Sequence, residues 1–131
     1  MTDESMTALK EMLVRHEGMR LNAYKDTVGK WTVGVGRNLD DKGITEDEFQ
    51  YITSNFNGFK SFALTCNEFL NDIKGIGITK EIALYLLDND IAECEEKLKR
   101  LTFYDSLSDI RKMVLISMCF NLGFWGLVGF T

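Results

Sequence analysis

The run HEGMRLNAYKDTVGKWTVGVGR, residues 16–37, constrains the fold more than any other part of this chain, because its hydrophobic period changes part-way along. Ahead of it, Met6, Leu9, Met12, Leu13 and His16 recur at helical spacing, which predicts a first helix running to about Glu17. Gly18 is the natural stop for that helix. Beyond Gly18 the period is two. Residues 20–24 and 30–35 read as the strands of a hairpin whose turn carries Asp26, Thr27 and Gly29. Residues 37–39 give a short third strand before residues 40–43 turn the chain. In the second strand Trp31, Val33 and Val35 share one face, while Thr32, Gly34 and Gly36 share the other. The first face can pack a core. The second is nearly bare backbone, which suits a bulge, a tight bend or the close approach of a ligand.

Downstream the pattern is helical. Thr45 followed by Glu48 has the spacing of a capping box and predicts a helix to about residue 54, broken by Asn57 and Gly58. A second segment puts Phe62, Cys66, Phe69, Leu70 and Ile73 on one helical face and ends in the glycine-rich residues 75–77, with its phenylalanines expected in the core. The phrases KGITEDEF and IGITKEIA read as two similar helix starts rather than a structural repeat. Over residues 80–101, Ala83, Leu87, Cys94, Leu98 and Leu101 keep helical spacing, giving an element of roughly 30 Å that is long enough to bridge two lobes. Residues 106–122 form a last helix, apolar on nearly all sides from Met113 onward and so expected to be enclosed by others. Gly123 stops it, and the apolar FWGLVGFT follows.

Composition narrows the function classes. A chain of 131 residues with 45% hydrophobic and 27% charged residues is that of one globular domain. A net charge of -5 excludes a phosphate-backbone binder, so nucleic acid is not an expected partner. Nothing approaches the roughly 18 consecutive apolar residues of a spanning helix, so no membrane insertion is expected. The N-terminus alternates charged and apolar residues and lacks a secretory h-region, which places the protein first in a reducing cytoplasm. Cys66, Cys94 and Cys119 are widely spaced among apolar residues and read as buried free thiols. With no C-x-x-C pair and a single histidine, His16, neither a metal nor a cofactor is expected.

Glu17, Asp26 and Thr32 are the candidate chemical groups. The unsatisfied carbonyls at the end of the first helix disfavour a charged carboxylate at Glu17 and favour the protonated acid that general acid catalysis uses. Asp26, in a polar turn, would stay ionised. Two carboxyl groups in unlike surroundings are the usual equipment for cleaving a glycosidic bond, and Thr32 on the adjoining strand could hold a water. On spacing alone, the other reading stays open: a surface helix-end glutamate and an ordinary turn aspartate.

The run HEGMRLNAYKDTVGKWTVGVGRNL closely resembles the active-site signature of the phage-type lysozymes, glycoside hydrolase family 24, the muramidases that many tailed phages use to lyse their hosts. The EG glutamate, the YKD aspartate nine residues later and the threonine of T-x-G-x-G six beyond it match in type and spacing. GITKEIALYLLDNDI resembles the family's interlobe helix, and FYDSLSDIRKMVLISMCFNLGFWGLVGFT its central buried helix. The resemblance implies an α+β, lysozyme-like fold: one domain over residues 1–131 with a small β-sheet lobe (18–78) and a larger helical lobe (1–17 and 79–131), joined by a long interlobe helix. It implies hydrolysis of the β-1,4 bond from N-acetylmuramic acid to N-acetylglucosamine in bacterial peptidoglycan, in a cleft between the lobes, by an endolysin kept in the host cytoplasm until its release to the wall. Glu17 would be the general acid, Asp26 the charge-stabilising or water-activating carboxylate, and Thr32 a positioner of the water. Asn38 and Phe120 would touch substrate, against the plainer readings of turn former and core residue.

Two departures from the family pattern stand out, the first of them away from the chemistry. The stretch between hairpin and Gly77 is longer than in the best-known members, so residues 56–69 are expected to add local helical structure. Family members usually continue for several helices past the position of Thr131. Without that cover, residues 113–130 would present an apolar surface that invites self-association. The alternative to an active enzyme is therefore a catalytically silent peptidoglycan-binding module or a fragment.

Overall fold

The computed structural model describes residues 1–56, 59 and 61–128, with side chains as far as residue 123. Its elements run α1 (Asp3–Glu17), β1 (Arg20–Lys25), β2 (Trp31–Gly34), β3 (Arg37–Asn38), α2 (Glu46–Asn55), α3 (Cys66–Ile76), α4 (Lys80–Leu98), a 3-10 turn (Tyr104–Ser106) and α5 (Asp109–Val128). Five helices and a three-stranded antiparallel sheet of order β1-β2-β3 make this an α+β, lysozyme-like fold. The described chain divides into two compact units, residues 17–87 and residues 1–16 with 88–131. The chain passes between them twice, at the end of α1 and within α4. None of the described helices is long and apolar enough to cross a membrane.

The unit of residues 17–87 is built on the hairpins. Tyr24 pairs with Thr32 and Lys25 with Trp31, and the register slips between Arg20 and Tyr24, where β1 bulges. Thr32 pairs in turn with Asn38, and Val33 with Arg37. Beneath the sheet Val33, Leu39, Phe49, Ile52, Phe69, Ile73, Ile82 and Leu86 form one core, with the Phe49 and Phe69 rings 5.0 Å apart. The capping box at Thr45 forms as its spacing predicts: Thr45 Oγ1 accepts from the Glu48 amide at 3.1 Å and Glu48 Oε1 accepts from the Thr45 amide at 3.0 Å. Thr79 starts α4 in a related way, accepting from the Ile82 amide at 3.3 Å, so the two echoed phrases are indeed two helix starts. Asn57 and Gly58, the expected helix breakers, lie outside the described residues.

One core assignment fails in this unit. Helix α3 begins only at Cys66, because Thr65 Oγ1 accepts from the Glu68 amide at 3.2 Å and Glu68 Oε2 accepts from the Leu64 amide at 2.9 Å. Those two bonds close the first turn and leave Phe62 in the irregular segment before it. Phe62 is 96% exposed, whereas Phe69 is fully buried. The expected extra helix over residues 56–69 is thus limited to the first turn of α3 among the described residues. At the far end of α3, a Cβ at Gly77 (φ +79°) would overlap the Leu21 carbonyl oxygen. The Ile78 amide donates to that same oxygen at 2.8 Å, which locks the chain after α3 against β1.

In the unit of residues 1–16 and 88–131, Leu9 and Leu13 of α1 are fully buried, as are Leu98 and Ile116, with Ile91, Tyr104 and Cys119 nearly so. Lys10 pairs with Asp88, and Asp109 Oδ2 accepts from the Thr2 amide at 3.0 Å, so α5 is tied to the start of the chain. Tyr104 donates from its hydroxyl to Glu95 Oε2 at 2.9 Å; burial, with Glu95 adding, pushes its phenol well above the ordinary range. The three cysteines are free, but only Cys119 is buried; Cys66 and Cys94 are half-buried. Burial, and then the neighbouring Cys119, push the Cys94 thiol up to about 12.

Helix α5 departs from the enclosed helix its composition predicts. Gly123 (φ 73°, ψ 161°) breaks it as expected, yet helical backbone resumes to Val128. Among the described side chains only Ile116 and Cys119 are buried along it, while Ile110, Val114 and Leu122 stand 74%, 52% and 46% exposed. Apolar composition marks a helix for burial only where other elements cover each face, and the described residues cover one. Gly129, Phe130 and Thr131 lie outside the described residues.

Candidate active site

Glu17, Asp26, Thr32 and Asn38 all fall in the unit of residues 17–87, and Phe120 is half-buried on α5 in the other. Glu17 is the last residue of α1, ahead of Gly18, whose φ of +77° takes the chain out of the helix. Its side chain is half-buried and makes no hydrogen bond or ion pair among the described residues. What it does meet is backbone. A Cβ built on Gly36 would lie 3.1 Å from Glu17 Oε2, 3.4 Å from Cδ and 3.5 Å from Cγ. The carboxyl group therefore rests over the bare Cα of Gly36.

Asp26 closes the first hairpin. Its Oδ1 accepts from the amides of Val28 at 3.0 Å and Lys30 at 2.9 Å, while its own amide donates to the Lys30 carbonyl at 2.9 Å. This is an Asx-type turn, in which a short carboxylate replaces backbone acceptors. Oδ2 has no hydrogen bond among the described residues, which leaves one oxygen of the carboxylate for chemistry.

Thr32 sits in the central strand between Tyr24 and Asn38, 5% exposed, and donates from Oγ1 to the Lys30 carbonyl at 3.2 Å. A hydroxyl that has donated still carries acceptor lone pairs. Asn38, its cross-strand partner, is committed to a turn: Oδ1 accepts from the amides of Asp40 at 3.0 Å and Asp41 at 2.8 Å, and Nδ2 donates to Asp41 Oδ2 at 3.1 Å. Asp40 Oδ2 accepts from the Trp31 amide at 2.8 Å, and this bond, with Lys74 adding, holds the Asp40 carboxyl below the usual carboxylate range. The start of β2, and with it Thr32, is tied down from the neighbouring turn.

The bare strand face, which suited either a tight bend or the approach of a ligand, is occupied by the chain itself. Gly34 (φ +66°) is buried against Ile78 and Ala83, whose atoms would lie 3.5–3.6 Å from a Cβ there, and Gly36 (φ +74°) is covered by Glu17. Both glycines serve the tight bend from β2 to β3, the plainer of the expected readings.

Sequence reasoning missed the buried pair behind this bend. Arg37 is 1% exposed and donates from Nη1 to Glu48 Oε1 at 2.8 Å and from Nη2 to Glu48 Oε2 at 2.7 Å. Nη1 also donates to the Gly43 carbonyl at 3.0 Å. A signal was present: Val33, Val35, Arg37 and Leu39 alternate with period two and are all buried, which sets a guanidinium on the inner side and demands an acid there.

Beyond geometry, the Phage lysozyme family model matches residues 14–129. The chain belongs to the phage lysozyme family. Its relatives include Probable T4-type lysozyme 2 and Probable T4-type lysozyme 1 of Dictyostelium discoideum, each 28% identical over 90% of this chain and 67% of the relative. A further relative is the Pre-baseplate central spike protein Gp5 of Enterobacteria phage T4, 26% identical over 98% of this chain and 22% of the relative. The family match makes this a glycosidase-type enzyme of muramidase-like function with peptidoglycan as its substrate class.

Proposed function

We propose that this protein is an endolysin-type muramidase that hydrolyses the β-1,4 bond from N-acetylmuramic acid to N-acetylglucosamine, and that Glu17, Asp26 and Thr32 carry the reaction. As general acid, Glu17 gives a proton to the glycosidic oxygen as the bond to the anomeric carbon breaks. Asp26 steadies the developing positive charge or takes the proton of the attacking water, which Thr32 orients. Asn38 and Phe120 contact the glycan. The observation that carries this reading is the unlike setting of two carboxyls in one unit: Glu17 over the Cα of Gly36 with no polar partner among the described residues, and Asp26 accepting hydrogen bonds from two turn amides through one oxygen.

The test is release of new reducing ends from purified peptidoglycan. Wild type should release them and Glu17→Gln should not, with unchanged circular dichroism. Pelleting of wild type with peptidoglycan without any new reducing ends would instead identify a silent binding module. In the same reading the exposed Ile110, Val114 and Leu122 support self-association through α5, and a sedimentation mass of one chain at all concentrations would count against it.

A further inference from the structure

Resting on that reading, we propose that Gly36 is a positioning residue for Glu17: the missing side chain at 36 forms the floor on which the acid's carboxyl lies. Three observations converge on it. A Cβ at 36 would come within 3.1 Å of Oε2, tighter than ordinary van der Waals contact, and all three of its near neighbours belong to Glu17. Glu17 has no hydrogen-bond partner among the described residues to hold it in any other way. Finally, Gly36 cannot drift, because the next residue, Arg37, is buried and clamped through both Nη atoms to Glu48 and through Nη1 to the Gly43 carbonyl.

The floor is rigid and the carboxyl is the movable partner. A methyl group at 36 would therefore push the acid aside by a few tenths of an ångström rather than unfold the bend. Displacements on that scale matter for a group that must deliver a proton in line, since productive geometry is held within about 0.5 Å.

Backbone strain has to be separated from the contact, and Gly34 supplies the control. It lies in the same bend with φ of +66°, but the three atoms nearest to a Cβ there belong to Ile78 and Ala83, at ordinary distances of 3.5–3.6 Å, and none to Glu17. With peptidoglycan fragments as substrate, Gly36→Ala should lower kcat at least ~10-fold with KM within ~2-fold. Gly34→Ala should leave both within ~2-fold. A kcat for Gly36→Ala equal to that of Gly34→Ala, or a loss confined to KM, overturns the proposal. If Glu17→Gln retains wild-type kcat, the assignment of the acid itself falls. If it is inactive while Gly36→Ala matches Gly34→Ala, only the positioning role does.

Stability gives a readout that does not depend on activity. In the double variant Glu17→Ala/Gly36→Ala the contact is gone, so the urea midpoint lost by Gly36→Ala beyond Gly34→Ala should be regained. No regain, including a case in which both the single and the double variant fail to fold, overturns the proposal as well.

Discussion

Arg37 and Glu48 meet through both nitrogens and both oxygens, at 2.8 and 2.7 Å, with side chains only 1% and 5% exposed. Glu48 also closes the capping box of α2, so one carboxylate starts a helix and neutralises a cation under the bend that carries Gly36. Removing one partner strands the other charge in the core. Arg37→Met should therefore cost about 3–5 kcal/mol in urea unfolding, whereas Arg37→Met/Glu48→Leu should cost less than the sum of the single changes. A single-variant cost below about 1 kcal/mol would show that the pair is solvated in solution.

Asp26 combines a turn role with a proposed chemical one, and the two separate by substitution. Asn keeps an Oδ1 able to accept from the Val28 and Lys30 amides, so Asp26→Asn should hold stability within about 0.5 kcal/mol while activity falls by about 100-fold or more. Asp26→Ala loses both acceptor bonds and should cost about 1–2 kcal/mol as well. Wild-type rates in Asp26→Asn would leave only the turn.

Two glycines two residues apart should respond with opposite signs. Gly75 lies inside α3 with no atom within 4 Å of an added Cβ, so Gly75→Ala should stabilise by about 0.5–1 kcal/mol. A Cβ at Gly77 overlaps the Leu21 carbonyl at a positive φ, so Gly77→Ala should destabilise by more than about 2 kcal/mol. Thermal midpoints moving in the same direction would contradict the packing of the α3 end on β1.

The two ends of the phenylalanine-rich segment should also differ. Phe62→Ser removes a ring that is 96% exposed and should change stability by less than about 0.5 kcal/mol. Phe69→Ala opens the core beside Phe49 and should cost about 3–5 kcal/mol. Comparable urea midpoints would place Phe62 in the core after all.

Asp109 gives a pH signature. The Thr2 amide, its first influence, holds the carboxyl below its usual 3.8, a depressed folded value. Its contribution to stability is present above 3.8 and is lost as pH falls through the folded value. The melting midpoint of wild type should exceed that of Asp109→Asn near neutral pH, and the gap should close as the pH drops below that range. A gap that widens in acid has the wrong sign for this bond.

Local chemistry was legible residue by residue. The end of α1 at Glu17, the Asp26 turn, the Thr45 box and the echo at Thr79 each depend on groups within about four residues of one another, and each formed as its spacing predicted. Phe62 was misplaced because its periodicity continues past the point where Thr65 and Glu68 close the helix. Periodicity says where a side chain would point, and capping says whether the helix is there.

By itself, then, the sequence determined the order of elements, the family and the three candidate groups, because motif spacing and hydrophobic period are local properties of the chain. Tertiary structure alone decided that the glycine-lined strand face is filled by Ile78, Ala83 and Glu17, and that Arg37 finds its acid eleven residues away at Glu48. It also decided that, among the described residues, α5 buries only part of its apolar surface. These outcomes depend on which surfaces meet across the fold, and neither a buried counterion nor the cover over a helix face is encoded in nearby residues.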